Sequence, residues 1–128
     1  METRYIDIPN KKWGVVVIYD FDHSDSDDLA AIMGSFGMNI RNTNKALNIL
    51  SNFNTGMAVS KDSLRMSAIF VGNATSASEW WATAIHELKH VADAIIDYYG
   101  VDWDSEDAAY LTGYMTKELV ETVGYPCK

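Results

Sequence analysis

Residues 84–92 read Ala-Ile-His86-Glu87-Leu-Lys-His90-Val-Ala and predict the helix on which the fold depends. Side chains four residues apart share one face of a helix, so His86 and His90 can present two imidazoles to a single zinc ion. Glu87 follows the first histidine, where its carboxylate can reach a water on the same metal and act as a general base. The spacing therefore predicts two zinc ligands and a catalytic base within little more than one helical turn. The alternative is an exposed helix face that carries these residues without a metal.

The sequence also marks both ends of this helix. Ser76 and Glu79 have the spacing of a capping box, and Gly100 suits the left-handed conformation that ends a helix. Between these ends, apolar residues recur at steps of four and three residues and are predicted to face the core: Trp81, Ile85, Leu88, Ala92, Ile95 and Tyr99. The two histidines fall on a different, polar face and are predicted to point away from the core.

Three segments upstream are predicted to form strands. Residues 13–19 are a continuous β-branched run, which is typical of a strand that is buried on both faces or central in a small sheet. Residues 57–60 and 66–71 are shorter strand-like segments joined by Lys61-Asp62-Ser63, and this arrangement predicts an antiparallel hairpin.

Two helices are predicted between the first strand and the hairpin, at about residues 26–36 and 42–52. The expected capping residues are Ser24 or Ser26 for the first helix and Asn42 or Thr43 for the second. The chain contains no repeats, low-complexity tracts or linkers, so residues 1–128 are predicted to form one α+β domain.

A catalytic zinc site needs at least three protein ligands and a fourth position for water. The metzincin pattern would require glycine at position 93 and histidine at position 96, and the chain has Asp93 and Ile96, which excludes that class. His23 is the remaining histidine and is an open alternative as a ligand. A glutamate on the next helix is the other known solution, and Glu106 is the candidate.

The last predicted helix is capped by Asp104 or Ser105 and ends near residue 121. Its apolar stripe is Ala108, Leu111, Met115 and Leu119. The short connection at Gly100 allows this helix to fold back antiparallel against the motif helix, so Glu106 in its first turn is expected to face His86 and His90. The alternative is that Glu106 is a solvated acid.

These residues resemble a known family, the zincins, and within it the gluzincins, which pair His-Glu-x-x-His with a glutamate on the following helix. The resemblance covers about residues 57–121, and the chain looks like a minimal member, similar to small proteins of this motif encoded by phages and prophages. It implies a small zincin-like domain in which His86, His90 and Glu106 bind Zn²⁺. It also implies that residues 66–71 form the edge strand beside the motif helix.

If the protein is active, the resemblance implies hydrolysis of an amide in a peptide or protein substrate, with Glu87 as the general base. Tyr110 and Tyr114 are candidate donors to the developing oxyanion, and core packing is the alternative for each. The strand at 66–71 could hold an extended peptide by strand addition. The competing interpretation is a non-catalytic protein that keeps the scaffold for metal binding or protein interaction.

Composition narrows the class of protein. The net charge of −8 argues against an electrostatic nucleic-acid binder or a binder of anionic membranes. The N-terminus lacks a basic segment followed by an apolar core, so no signal peptide is predicted. The single cysteine, Cys127, cannot form an internal disulfide. A cytoplasmic protein is therefore expected.

Overall fold

Four strands form one mixed sheet in the computed structural model, which describes residues 1–100 and 105–123. They are β1 (Glu2–Ile8), β2 (Trp13–Tyr19), β3 (Gly56–Lys61) and β4 (Met66–Val71). The strand order is β1-β2-β4-β3, in which the outer pairs β1–β2 and β3–β4 are antiparallel and the central pair β2–β4 is parallel. The predicted central strand and the predicted hairpin are both confirmed. Strand β1 was not predicted, because only Ile6 and Ile8 of its seven residues are buried and its alternation is short.

The expectation that residues 66–71 form an edge strand is wrong. Strand β4 pairs with β2 on one side and with β3 on the other, and every residue from Ser67 to Val71 is buried. The continuous apolar run of this strand suits a central position, where helices cover the sheet above and below. The edge beside the motif helix is β3, whose residues are all half-buried.

The four helices are α1 (Ser26–Ser35), α2 (Ile40–Leu50), α3 (Ala77–Tyr99) and α4 (Ser105–Val123). All four agree with the sequence predictions to within a few residues. The predicted ends of α3 are also confirmed, because the Ser76 hydroxyl accepts a hydrogen bond from the Glu79 amide and Gly100 has a φ of 63°. The predicted cap at Asp104 and the cysteine at Cys127 lie outside the described residues.

The predicted caps of α1 and α2 are wrong. A 3-10 turn at His23–Asp25 precedes α1, and the Asp22 side chain caps that turn by accepting from the Ser24 amide. Helix α2 begins at Ile40, and the Asn39 side chain accepts from the Asn42 amide at 2.8 Å. Both caps lie a few residues upstream of the predicted ones, because each helix or turn starts before its first inward-facing apolar residue.

Helices cover both faces of the sheet. Side chains of β2 alternate, so Val15 and Val17 pack in a larger core with α3 and α4, and Ile18 packs in a smaller core with α1 and α2. This arrangement bears out the α+β class. Among the described residues, no helix has both the length and the apolarity that crossing a bilayer requires.

Candidate metal centre

His86, Glu87 and His90 lie together in the middle of α3. One ligand atom from each residue falls within 4.8 Å of the others, and across residues 1–100 and 105–123 no other group of three such side chains meets this distance. The Nε2 atoms of His86 and His90 are 3.3 Å apart. Both imidazoles are exposed to solvent, whereas Glu87 is buried with 6% of its surface exposed. The predicted polar face of the helix is therefore confirmed for both histidines.

The two imidazoles fit a zinc ion. With Zn–N distances of about 2.0–2.1 Å and a tetrahedral angle, two coordinating nitrogens are about 3.3–3.4 Å apart. The observed separation of 3.3 Å agrees with that value. The same separation also suits a hydrogen bond between two neutral rings in which one nitrogen carries the proton. Imidazole and carboxylate ligands are a donor set that zinc accepts.

Close packing against the edge strand buries Glu87. A Cβ atom at Gly56 would lie 2.6 Å from Thr83 Cγ2 and 3.0 Å from Glu87 Cγ, so the absence of a side chain there leaves room for both. Burial raises the pKa of the Glu87 carboxyl, and the imidazoles of His90 and His86 act in the opposite direction. The strand β3 therefore fixes the position of the carboxylate beside the histidines. Sequence reasoning missed this role of Gly56, because no pattern in the chain distinguishes a closely packed glycine from a glycine in a turn.

A cleft of about 420 Å³ opens beside His86 and Glu87. It lies between α3 and the connection from α2 to β3, and its wall includes Ile49, Asn54 and Thr83. The Asn54 amide donates to the Asn73 carbonyl at 2.8 Å, and the Asn54 side chain accepts from the Thr75 amide at 3.0 Å. These bonds hold the wall of the cleft against the segment that leads into α3. The wall is therefore fixed, and a ligand that rests on it would contact His86 and Glu87.

The structure does not bring Glu106 into this group. Glu106 is exposed in the first turn of α4, and the next residue, Asp107, lines a cavity with Ile95, Ile96 and Tyr99 near the C-terminal end of α3. Tyr99 lies thirteen positions after His86, which is about 20 Å along a helix axis. The geometry gives no support to Glu106 as the third zinc ligand, and that role stays a prediction.

Tyr110 and Tyr114 are also placed away from the histidines. Both line the cavity near the end of α3, and neither lines the cleft beside His86. The Tyr114 hydroxyl donates to the Asp7 carbonyl of β1 at 3.0 Å, and Tyr110 is 74% exposed. Helix α4 packs against both α3 and β1, so its tyrosine face lies toward the opposite edge of the sheet from β3. A contribution of these phenols to an oxyanion at the histidines has no support in the geometry.

His23, the alternative third ligand, also lies outside the group. It is exposed in the 3-10 turn before α1 and borders a third cavity, together with Leu29, Leu47 and other residues of α1 and α2.

Comparisons with known proteins add no identification, because no family model, no curated protein and no solved structure matches this chain. The candidate site is therefore defined by the geometry of His86, Glu87 and His90.

Proposed function

We propose that this protein is a zinc-dependent hydrolase of peptide bonds, in which His86 and His90 are two of the metal ligands and Glu87 is the general base. The third protein ligand that such a site requires is not among the residues that the geometry brings together. The observation that carries the proposal is the pair of Nε2 atoms 3.3 Å apart, with the Glu87 carboxylate within reach of both, beside an open cleft. Exposed imidazoles are accessible to an ion and a substrate, and the buried carboxylate is held in place by the fold.

The chemistry divides between the metal and Glu87. Zinc bound at the histidines would supply a Lewis acid that polarises a carbonyl and lowers the pKa of a water. The Glu87 carboxylate would take a proton from the attacking water and later deliver it to the leaving amine. Its low exposure keeps bulk water from competing for that proton, and its contact with β3 keeps it aimed at the cleft.

The edge strand suits an extended peptide as substrate. Strand β3 pairs only with β4 within the described sheet, so its outer side has no strand partner there. A peptide added along β3 would form main-chain hydrogen bonds to it. Gly56, the first residue of β3, lies against Glu87 and lines the cleft, so such a peptide would run directly past the candidate site.

A second candidate function is metal binding without catalysis. Glu87 is the third member of the group, and its oxygen atoms are close enough to the imidazoles for the carboxylate to be a ligand itself. A ligating Glu87 could not act as the base. The two functions therefore differ in what Glu87 does, and substitution of this residue separates them.

Zinc titration tests the metal site. We expect the wild type to bind one zinc ion, and we expect His86→Ala to weaken binding by more than about 100-fold, since loss of a ligand should exceed the effect of losing an outer-shell partner. His23→Ala is the matched control, because it removes a histidine outside the group and should leave the affinity unchanged. Equal weakening by both substitutions would refute the site. Glu106→Gln in the same titration tests the third ligand.

Glu87→Gln tests the catalytic role on a broad peptide library. As the base, Glu87 contributes about 100- to 10,000-fold, so this variant should bind zinc normally and lose hydrolysis. Loss of zinc by this variant would favour the non-catalytic function. Equal turnover by the wild type and the variant would assign the activity to a contaminant or another site. Absence of turnover by the zinc-loaded wild type would reject the hydrolase.

A further inference from the structure

A second cavity of about 610 Å³ lies between the C-terminal part of α3, the first half of α4 and the connection from β1 to β2. This volume is within the range of small-molecule sites in proteins. None of the residues that line it lines the cleft beside His86. The cavity is therefore separate from the candidate metal centre.

The floor of this cavity is apolar and its walls are held by tyrosines. Buried side chains of Ile8, Ile95, Ile96 and Leu111 border it. The Tyr99 hydroxyl donates to the Lys11 carbonyl, and the Tyr114 hydroxyl donates to the Asp7 carbonyl. These bonds attach α3 and α4 to the end of β1 and the turn that follows. An apolar ligand group would lie on a preformed surface between phenol rings.

One cation and one anion line the same cavity. Lys11 Nζ lies 6.0 Å from the centre of the Tyr99 ring, and Asp107 is on the first turn of α4. Within residues 1–100 and 105–123, neither Lys11 nor Asp107 makes an ion pair, with each other or with another side chain. A ligand with a single charge would satisfy only one of these groups. A ligand that carries both charges could pair with both.

We propose that this cavity binds a zwitterionic amino acid or dipeptide with an apolar side chain. Its carboxylate pairs with Lys11, and its ammonium pairs with Asp107 and contacts the faces of the tyrosine rings. Its side chain covers the isoleucine floor. The proposal does not depend on zinc or on hydrolysis, because no residue of the metal centre takes part.

Calorimetric titration with two zwitterions and two singly charged analogues tests the ligand class. The zwitterions are L-phenylalanine and L-leucyl-L-phenylalanine, which distinguish a free amino acid from a dipeptide. The analogues are 3-phenylpropanoate, which lacks the ammonium, and phenethylamine, which lacks the carboxylate. We expect saturable one-to-one binding of at least one zwitterion and binding of both analogues about tenfold weaker or more. No binding of either zwitterion, or equal binding of the analogues, would overturn the proposal.

Matched substitutions test the residues. Lys11→Met and Asp107→Asn should each weaken binding of the zwitterion about tenfold. The controls are Lys45→Met and Asp28→Asn, which replace exposed residues outside the cavity and should leave the affinity unchanged. Circular dichroism should show that all four variants are folded, because each replaces a side chain that is at least partly exposed. If Lys11→Met and Lys45→Met bind the zwitterion with equal affinity, the proposed site is wrong. Addition of zinc should leave the affinity unchanged, so failure of the metal site and failure of this site can be told apart.

Discussion

Gly56 sets how closely the edge strand approaches the motif helix. Its position against Thr83 and Glu87 leaves no space for a Cβ atom, and the Phe70 carbonyl lies 3.1 Å from where that atom would be. Two of these three neighbours belong to α3, so a side chain at this position would push the helix away from the sheet. The buried carboxylate of Glu87 depends on this contact.

We expect Gly56→Ala to destabilise the protein by about 1–3 kcal/mol, the usual cost of adding a group to a filled site. Urea denaturation measures this free energy of unfolding. Gly113→Ala on α4 is the matched control, because nothing lies within 4 Å of its added Cβ and alanine in a helix is about 0.5–1 kcal/mol better than glycine.

A second substitution locates the clash. Thr83→Ser removes the methyl group that lies 2.6 Å from the added Cβ, so it should restore part of the stability when combined with Gly56→Ala. Strictly additive effects of the two substitutions would show that Gly56 and Thr83 are not in contact. A wild-type stability for Gly56→Ala alone would show that the strand and helix are farther apart than the structure places them.

The spacing of residues along one helix predicted part of the candidate site. It did not predict which residues of other elements lie near that part. His86, Glu87 and His90 share one helical turn, so their proximity follows from local geometry alone. Glu106 and Tyr110 belong to another helix, and their distance from the histidines depends on where α4 packs. The sequence contains no comparable signal for that placement, which explains why the structure does not bring these residues into the group.

Helix α4 shows what an apolar stripe can predict at the scale of an element. Its predicted stripe is buried at all four positions, Ala108, Leu111, Met115 and Leu119. The stripe identifies the face that turns inward, and it does not identify the neighbours that cover that face. Contacts with both α3 and β1 decide the orientation, and β1 itself was not predicted because so few of its residues are buried.

The motif helix α3 shows a related limit. Leu88, Ala92 and Ile95 of the predicted stripe are fully buried, whereas Ile85 is 39% exposed and Tyr99 is 40% exposed. The helix contacts both the sheet and α4, so its buried face is wider than one stripe and includes Glu87. A buried carboxylate is invisible to a pattern that counts apolar residues.

The start of α2 provides a prediction for an element. The Asn39 side chain accepts from the Asn42 amide, so Asn39→Ala should cost about 1 kcal/mol in the free energy of unfolding. Asn42→Ala should be neutral or slightly stabilising, because Asn42 is exposed inside the helix, where alanine is favoured. Thermal denaturation of the two variants measures the difference. A larger loss for Asn42→Ala would place the start of the helix where the sequence pattern first indicated it.

For the whole molecule, the sheet order could not be read from the sequence. The strands β2 and β4 are parallel neighbours although α1, α2 and β3 lie between them in the chain. A parallel pair requires such a crossover connection, but the apolar pattern of each strand is the same for a parallel or an antiparallel partner. The sequence therefore predicted the α+β class and the β3–β4 hairpin. It did not predict that β2 and β4 form a central parallel pair.

Zinc should stabilise the whole fold and not only the site. Leu88, Val91 and Ala92 are fully buried in the larger core around the histidines, so α3 cannot unfold without opening that core. At free zinc about 100-fold above Kd, binding to the native state alone adds about 2.7 kcal/mol. For a chain of 128 residues this corresponds to a rise in Tm of about 10 °C.

Differential scanning calorimetry with added zinc, and again after a chelator, measures the predicted rise in Tm and its reversal. His86→Ala should show little or no rise at the same zinc concentration, whereas His23→Ala should respond as the wild type does, because His23 lies outside the group. Zinc that is retained by unfolded chains through their histidines would reduce the rise in all variants alike. An equal rise in the wild type and in His86→Ala would place the stabilising zinc at another site.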